Sequence, residues 1–437
     1  MFSAIKRAFS TPDLRNKLLF TLAIVAIYRL GSFIPAPFVN YTAVSACLKA
    51  GSGSVNGIYE LVNLFSGGAL LQLSIFALGI MPYITASIIT QLLRVVIPRF
   101  ETLYKEGQAG QSKLTQYTRY LTIGLGLLQS TTLISVAKQG ALFGSNCSGV
   151  FADDSPWAII LMVITMTAGT GVIMWLAELV TERGVGNGMS LLIFTSIAAR
   201  FPASLGSIAQ QKGVETLLGV IAVGVVIVLL VILVEQSQRR IPVQYAKRMV
   251  GKRSYGGQST YLPIKVNMAG VVPVIFASSL LYLPGLIAQF NGADKNGKIA
   301  PWVIWITNNL TKGDHPLYML MYFLLIIAFT YFYVSITFNP EEVSENMKQY
   351  GGFIPGIRAG RPTTEYLEYV LSRITLPGSL YLGVVALIPL LALSLLNANS
   401  NFPFGGTSIL IIVGVGLETV KQISAQMQQR NYEGLLK

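Results

Sequence analysis

Residue types that could carry out catalysis are few in this chain, and they are not grouped. An aspartyl hydrolase within a membrane needs paired aspartates, and a serine hydrolase needs a serine beside a histidine base. The single histidine, His315, lies at the outer edge of an apolar segment. The glycine-rich stretch 184–188 (GVGNG) has neither a preceding strand nor a following lysine, so it indicates a tight turn and not a phosphate loop. With no cluster of metal ligands either, the sequence predicts a protein that is not an enzyme and uses no cofactor or metal ion.

The elements that carry these residues are strongly apolar. Of 437 residues, 52% are hydrophobic and only 12% are charged, a composition typical of multi-span membrane proteins. Ten apolar runs are long enough to cross a bilayer, and they begin near Leu18, Leu71, Tyr120, Trp157, Met189, Leu217, Val266, Leu317, Leu376 and Gly405. Five spans in each half force the second half to insert upside down relative to the first. We therefore expect an N-terminal half over 1–201, an outer connecting loop over 202–214 and a C-terminal half over 215–437, with large cytosolic loops at 235–265 and 338–373.

One uncharged run is too long for a single crossing. Residues 61–93, between Glu60 and Arg94, would extend about 50 Å as one helix, whereas a hydrocarbon core of about 30 Å needs about 20 residues. The serine and two glycines at 66–68 mark a break in the run. A half-helix joined to a span is tolerated at membrane depth only where protein or trapped water satisfies its backbone. The run therefore predicts a chain that lines a pore or a binding cleft.

Positive charge is concentrated on one side of this topology. The net charge is +13, and most of the 32 lysines and arginines fall in the termini and the even-numbered loops, which the positive-inside bias assigns to the cytoplasm. Contact with anionic lipids explains part of the bias. The loop 235–265 carries more basic residues than that role needs, and it is long enough to present them to an anionic partner such as ribosomal RNA or an acidic protein face. The loop 338–373 should be ordered, because glycine and proline fix a turn around Arg358.

Charged residues inside the predicted spans are scarce. Ion-coupled transporters and proton pumps keep carboxylates or histidines at mid-membrane, and no Asp or Glu falls well inside any predicted span. Arg29 lies near the outer end of the first span, where we expect its side chain to snorkel towards the headgroups. Uncharged polar residues recur along the second span, where they could form interhelical hydrogen bonds or simply pack the bundle: Gln72, Ser74, Thr85, Ser87, Thr90 and Gln91.

The chain has two cysteines, Cys47 and Cys147. The topology places both on the outer face of the membrane. A disulfide and two free thiols are both compatible with that position.

Six motifs follow one another along the chain: FSGGALLQLSIFALGIMPYITASIITQLL from Phe65, KEGQAGQSKLTQYTRY from Lys105, TERGVGNG from Thr181, QRRIPVQYAKR from Gln238, LPIKVNMAGVVPVIFASS from Leu262 and FIPGIRAG from Phe353. Together they closely resemble the bacterial SecY family of protein-conducting channels over nearly the whole chain. The resemblance implies an all-α polytopic membrane protein. Its ten transmembrane helices would form two inverted five-helix halves around a central hourglass pore, with a re-entrant plug helix.

By the same resemblance, three groups of residues would form the channel. The pore ring would be Ile80, Ile84, Ile193, Ile275 and Ile411, with Met189 also facing the pore. The plug, over 58–70, would include Glu60, Asn63, Phe65, Ser66, Gly67 and Gly68. The lateral gate, between the second and third spans on one side and the seventh and eighth on the other, would be held shut by Thr85, Gln129 and Asn267. An apolar ring excludes ions by dewetting and makes no sequence-specific demand on a passing chain.

The resemblance also implies the function and the partners. The channel would be passive and would translocate unfolded secretory polypeptides, recognised by their signal peptides, across the bacterial cytoplasmic (inner) membrane. It would release membrane-protein helices laterally. SecE and SecG would be small membrane subunits, and the SecA ATPase or the ribosome would drive nascent polypeptides through, docking on Arg239, Arg240, Lys247, Arg248, Lys252, Arg253 and Arg358. A small-molecule transporter, the nearest alternative, should show a polar site at mid-membrane, and a purely structural scaffold would not need two large basic protrusions.

Overall fold

The computed structural model describes residues 11–50, 66–138, 149–153, 155–245, 248–250, 253–255, 259–290, 300–311, 315–396 and 406–433. Most of the described chain is helical. The helices are α1 Pro12–Phe33, α2 Tyr41–Ala50, α3 Met81–Val96, α4 Pro98–Lys105, α5 Gln108–Lys138, α6 Pro156–Arg183, α7 Gly188–Gln236, α8 Val272–Phe290, α9 Pro301–Ile306, α10 Pro316–Thr337, α11 Pro340–Gln349, α12 Arg361–Leu396 and α13 Gly406–Glu433, with a π-helical turn at Thr307–Thr311. The strands are β1 Gln238–Tyr245, β2 Arg248–Val250, β3 Arg253–Tyr255, β4 Ser259–Lys265 and β5 Gly352–Phe353.

Helical segments occupy all ten of the predicted span positions. Within the described ranges, seven segments are long and apolar enough to cross a membrane, and α3 with α4 makes an eighth if the 100° bend between them is counted within one span. Pro98 begins α4 after the extended backbone of Ile97, which explains this bend. Two shorter apolar helices, Gly188–Pro202 and Val272–Leu281, lie at the fifth and seventh span positions.

The second span differs from the expectation in where its helix begins. The sequence predicts a span from near Leu71, but residues 66–80 form a series of turns and α3 begins only at Met81. Four residues in this stretch have positive φ, which is incompatible with a right-handed helix: Gly67, Gly68, Leu73 and Gly79. The end of α1 supplies part of the missing backbone bonding, because Ala36 N donates to Leu73 O at 2.9 Å and Ile75 N donates to Ile34 O at 2.9 Å.

The predicted connecting loop at 202–214 is also largely helical. α7 runs from Gly188 through this region to Gln236 with its break concentrated at Gly213, where φ is +83°. Pro202 lies inside the helix without ending it. The division of the chain into two halves is still a prediction, and the structure puts the sharpest backbone change between them at one glycine.

The two large loops that the sequence assigns to the cytosol meet in a small antiparallel sheet with strand order β4-β1-β5. Ile241 of β1 pairs with Leu262 of β4, and Gln244 of β1 pairs with Phe353 of β5. Alternate residues of β1, Ile241 and Val243, are buried on one face against Ile264, as expected for a sheet with one covered side. Strands of the loops 235–265 and 338–373 therefore form one body, which the predicted topology assigns to the cytosol.

On the outer face, the segment after α1 is paired with the segment before α6. Asn40 N donates to Val150 O at 2.9 Å, and Ala152 N donates to Phe38 O at 2.8 Å. Cys47 of α2 is disulfide-bonded, and Cys147, the only other cysteine of the chain, lies outside the described residues.

The disulfide of Cys47 gives a direct chemical prediction. In the denatured but unreduced protein, Cys47 should take no thiol-specific alkylating label, and full labelling should follow reduction. Peptide mass spectrometry measures this. Cys47→Ser is the control, because it should leave Cys147 free to react without reductant. Alkylation of wild-type Cys47 before reduction would show that the disulfide is not formed.

Candidate functional site

The five predicted ring isoleucines all belong to the same hydrophobic core cluster, which they share with many other buried apolar side chains. Ile80 immediately precedes α3 and Ile84 lies in its first turn, while the others come from α7, α8 and α13. All five are buried, with exposed fractions of 0% for Ile80 and Ile411, 2% for Ile193, 5% for Ile84 and 7% for Ile275. Three belong to the predicted N-terminal half and two to the C-terminal half. The cluster therefore joins the two halves through apolar side chains that exclude water.

The start of α7 is held closely against α6, which positions Ile193. The side chain of Asn187 caps the helix by accepting from Met189 N at 3.0 Å, and Gly188 N donates to Thr181 Oγ1 at 2.9 Å. A Cβ at Gly188 would lie 1.9 Å from the carbonyl oxygen of Ala177, so this approach requires glycine. Met189 itself is partly buried and packs on the isoleucine cluster.

Of the predicted plug residues, Glu60, Asn63 and Phe65 lie outside the described residues. Ser66, the first described one, is fully buried, and its Oγ accepts a hydrogen bond from Leu70 N at 3.2 Å. Gly67 and Gly68 follow with φ of +67° and +98°. The predicted break at 66–68 is thus a compact turn that leads into the irregular segment before α3.

The predicted gate helices touch, but their predicted hydrogen-bond cluster is not formed. α3 and α5 both contact α8. Thr85 donates within its own helix to Met81 O at 3.0 Å, and Gln129 is buried on α5. Asn267 precedes α8, and its Nδ2 donates to Glu235 Oε1 at 2.5 Å and to Gly270 O at 3.2 Å. The charged carboxylate at the end of α7 is the stronger acceptor, so Asn267 is bonded there and not to Thr85 or Gln129.

Three polar contacts that the sequence did not predict connect the helices around this site. The first is the hydrogen bond from Asn267 to Glu235. Glu235 is a carboxylate at the end of a long apolar run, and this position in the sequence could have indicated a functional contact. Arg119 of α5 forms a two-pronged ion pair with Glu178 of α6, with N···O distances of 3.0 and 2.6 Å. Thr118 Oγ1 of α5 donates to Thr90 Oγ1 of α3 at 3.1 Å. The last two contacts tie α3, α5 and α6 into one unit.

The gate helix α8 also carries polar side chains that the sequence reasoning passed over. Ser278 and Ser279 are both buried, and Ser278 donates to Ile275 O at 2.9 Å. The Oγ of Ser279 is buried without a hydrogen-bond partner in the part of the chain that the structure describes. The sequence signal for these buried polar groups is the pair of adjacent serines within an apolar motif.

Exposed arginines lie on the cytosolic sheet and on the turn that follows it. Arg239 and Arg240 begin β1, and the Arg240 guanidinium lies 4.9 Å from the Tyr261 ring centroid. Arg358 is exposed on a turn between two positive-φ glycines, and Thr363 Oγ1 donates to its carbonyl oxygen at 2.9 Å. Arg248 and Arg253 lie on the paired strands β2 and β3, and Lys247 and Lys252 lie outside the described residues. Because β5 pairs with β1, Arg239, Arg240 and Arg358 belong to the same body.

The fold defines a class: multi-span helical membrane proteins, whose apolar helices pack around a large hydrophobic core. The SecY family model matches residues 74–420. The chain belongs to the SecY family. It is 64% identical to the protein translocase subunit SecY of Streptomyces galbus, 59% to that of Micrococcus luteus and 57% to that of Mycobacterium tuberculosis, covering 100% of both chains in each case.

Solved structures show the same fold at low sequence identity. One, described as "The structure of a protein conducting channel", matches with a TM-score of 0.63 at 19% identity over 94% of this chain and 92% of that chain. Another, "Sec61 in the Canine ribosome-channel complex from the endoplasmic reticulum", matches with a TM-score of 0.61 at 18% identity over the same shares. These two likenesses establish the architecture only.

The contact between Asn267 and Glu235 predicts a measurable loss of stability. Asn267→Ala removes the donor and leaves a partly buried carboxylate unsatisfied, which costs about 1–3 kcal/mol. Thermal unfolding of the purified protein in detergent should show a lower Tm. Asn346→Ala, at an exposed position on α11, is the matched control and should leave the Tm unchanged. Equal Tm values for the two variants would mean that the contact does not stabilise the fold.

Proposed function

We propose that this chain is the channel through which unfolded polypeptides cross the bacterial cytoplasmic membrane, and from which apolar segments pass sideways into the lipid. The observation that carries the proposal is the cluster of five buried isoleucines from both halves of the chain. Membership of the SecY family, with relatives named as translocase subunits over their full length, supports it. The excess of basic residues in the termini and even loops supports a topology with both termini in the cytoplasm.

The isoleucine cluster would act as the seal. A narrow constriction lined only by apolar side chains holds no stable water column, so ions do not pass. Isoleucine side chains interact with a polypeptide mainly through dispersion, which accepts almost any sequence. In this role, Ile80, Ile84, Ile193, Ile275 and Ile411 form the ring, and the plug over 58–70 closes it from the outer side.

The lateral exit would open between α3 and α5 on one side and α8 and α10 on the other. The contacts of α8 with α3 and α5 support a seam at this position. Gln129 and Thr85, on the N-terminal side, and the serine pair Ser278 and Ser279, on α8, are the buried polar residues near it. Uncharged hydrogen bonds in a membrane are worth about 0.6–2 kcal/mol each, so an apolar signal segment could displace them. Asn267, which precedes α8, would hold the start of that helix through its hydrogen bond to Glu235.

The driving force would come from outside the chain. We assign the cytosolic body, with Arg239, Arg240 and Arg358 on its surface, as the docking site for the SecA ATPase and for the ribosome. A guanidinium on a turn fixed by flanking glycines suits a carboxylate or a phosphate. SecE and SecG would complete the complex in the membrane, and anionic lipids would contact the basic cytosolic rim.

Weakening the ring should make the resting membrane leak. Replacing Ile80, Ile84 and Ile275 together with glycine removes apolar side chains from both halves, so the constriction should fill with water. Reconstituted complexes in planar bilayers should then pass a steady current where the wild type passes almost none. Ile24→Gly, a buried position in a separate cluster between α1 and α6, is the control and should not leak. An unchanged resting conductance in the triple variant would refute the ring.

Reversing the charge of Arg358 should stop motor-driven export. In proteoliposomes with SecA and ATP, the wild-type complex should convert a secretory precursor into a protease-protected product, and Arg358→Glu should lose this product while its abundance stays normal. The lost contact would cost about 2–5 kcal/mol if the guanidinium meets a buried carboxylate. Arg361→Glu is the control, because this neighbour is 91% exposed and pairs with Glu365. A wild-type complex that yields no protected product would contradict the proposed function itself.

A further inference from the structure

Arg29 does not behave as the snorkelling residue that its position predicts. It lies one turn from the outer end of α1, and its Nη1 donates to the carbonyl oxygen of Gly67 at 3.3 Å. Its guanidinium also lies 5.4 Å from the ring centroid of Phe33. The side chain is partly buried and directed at the protein. Its hydrogen-bond partner belongs to the turn at the end of the proposed plug.

The turn is built around glycine at the point where Arg29 meets it. Gly67 has a φ of +67°, and a Cβ there would lie 2.7 Å from Arg29 Nη1 and 3.2 Å from Ser196 Cα. Gly67 therefore sits in a narrow cleft between α1 and α7. Gly68 is different, because the nearest atom to its Cβ would be Arg200 Nε at 3.7 Å, an ordinary contact distance.

A hydrogen bond also connects the two helices that form the cleft. Tyr28, beside Arg29 on α1, shares a hydrogen bond of 2.7 Å with Ser196 Oγ of α7. Tyr28 is fully buried, and its ring stacks on Phe76 with centroids 6.0 Å apart. Thus Tyr28 joins the two walls of the cleft, while Arg29 bonds the turn that the cleft holds.

The turn is compact, so one contact can hold all of it. Leu70 N donates to Ser66 Oγ at 3.2 Å and Ala69 N donates to Ser66 O at 3.4 Å. The carbonyl of Gly67 projects from this turn and is not used in these internal bonds. A backbone carbonyl at membrane depth needs a partner, and a cationic donor forms a stronger bond than a neutral one.

We propose that Arg29 is a positioning residue that holds the Ser66–Leu70 turn in its cleft and thereby keeps the channel closed. This inference rests on the proposed function, which assigns 58–70 as the plug. When the turn leaves, the guanidinium is released towards the wet outer funnel, so the bond breaks at moderate cost and can form again. Arg29 therefore holds the turn in the closed channel through a hydrogen bond that can break and form again.

The first test is the resting open probability of the reconstituted complex in planar bilayers. Arg29→Met keeps the apolar stem and removes the donor, and it should raise the open probability about tenfold, which corresponds to about 1.4 kcal/mol. Arg29→Lys keeps a cationic donor and should stay near the wild type. Tyr28→Phe is the matched control, because it loosens the same cleft without touching Gly67 and should open the channel less than Arg29→Met. An unchanged open probability in Arg29→Met would overturn the proposal.

Lipid composition separates this role from simple headgroup anchoring. If Arg29 fastens the turn, the difference between wild type and Arg29→Met should persist in bilayers of purely zwitterionic lipid. If the difference appears only when anionic lipid is present, Arg29 anchors α1 to headgroups and the proposal is wrong.

A second experiment changes the glycine residues of the turn instead of Arg29. Gly67→Ala places a methyl group against Arg29 and Ser196, whereas Gly68→Ala has a similar positive φ but ordinary contacts. Gly67→Ala should open the channel more than Gly68→Ala. Combined with Arg29→Met, it should add little, since both changes break one interaction. Full additivity of Gly67→Ala and Arg29→Met would place the action of Arg29 elsewhere and overturn the proposal.

Deletion of residues 60–70 distinguishes failure of this inference from failure of the function. If the deletion raises the open probability and the Arg29 and Gly67 variants do not, the proposed role of Arg29 is wrong and the plug assignment stands. If neither the deletion nor the glycine-substituted ring changes the conductance, the proposed channel function fails, and the inference fails with it.

Discussion

Inside a bilayer, every backbone N–H and C=O needs a partner within the protein, and residues 66–80 form backbone hydrogen bonds without forming a helix. The end of α1 makes it possible, because Ile34 and Ala36 exchange backbone bonds with Leu73 and Ile75. The carbonyl of Gly67 is bonded by Arg29. A Cβ at Gly31 would collide with the ring of Phe76, so the helix and the turn segment are packed face to face. The first span is therefore the template on which the non-helical segment is built.

The rest of the site follows from where that segment ends. Because regular helix resumes only at Met81, Ile80 and Ile84 stand at the start of α3 and not in its middle. Their partners lie in a comparable place, since Ile275 is in the first turn of α8, and Ile193 and Ile411 are in the second turns of α7 and α13. An apolar layer built from helix starts needs no charged residue. Two charged contacts, Arg119 with Glu178 and Glu235 with Asn267, involve residues near the C-terminal ends of α6 and α7.

The sequence was informative wherever the signal was local or carried by a motif. Apolar run length predicted the positions of seven helices long enough to cross a membrane and of the bent pair α3 and α4, and two shorter apolar helices lie at the other two positions. The motifs selected five isoleucines that belong to one hydrophobic core. The late start of α3 could not be predicted, because it depends on bonds between residues nearly 40 positions apart, as from Ala36 to Leu73. Asn267 was placed with the wrong neighbours for the same reason. The pairing of β1 with β5 joins segments more than 100 residues apart, and two-residue β5 has no periodic pattern to reveal it.

The location of the isoleucines at helix starts ties two movements together. Ile84 lies in the first turn of α3 and Ile275 in the first turn of α8, and these two helices contact each other. A displacement that moves the start of α3 away from the start of α8 therefore also separates Ile84 from Ile275. Under the proposed function, the same movement would widen the central passage and give a helix access to the surrounding lipid.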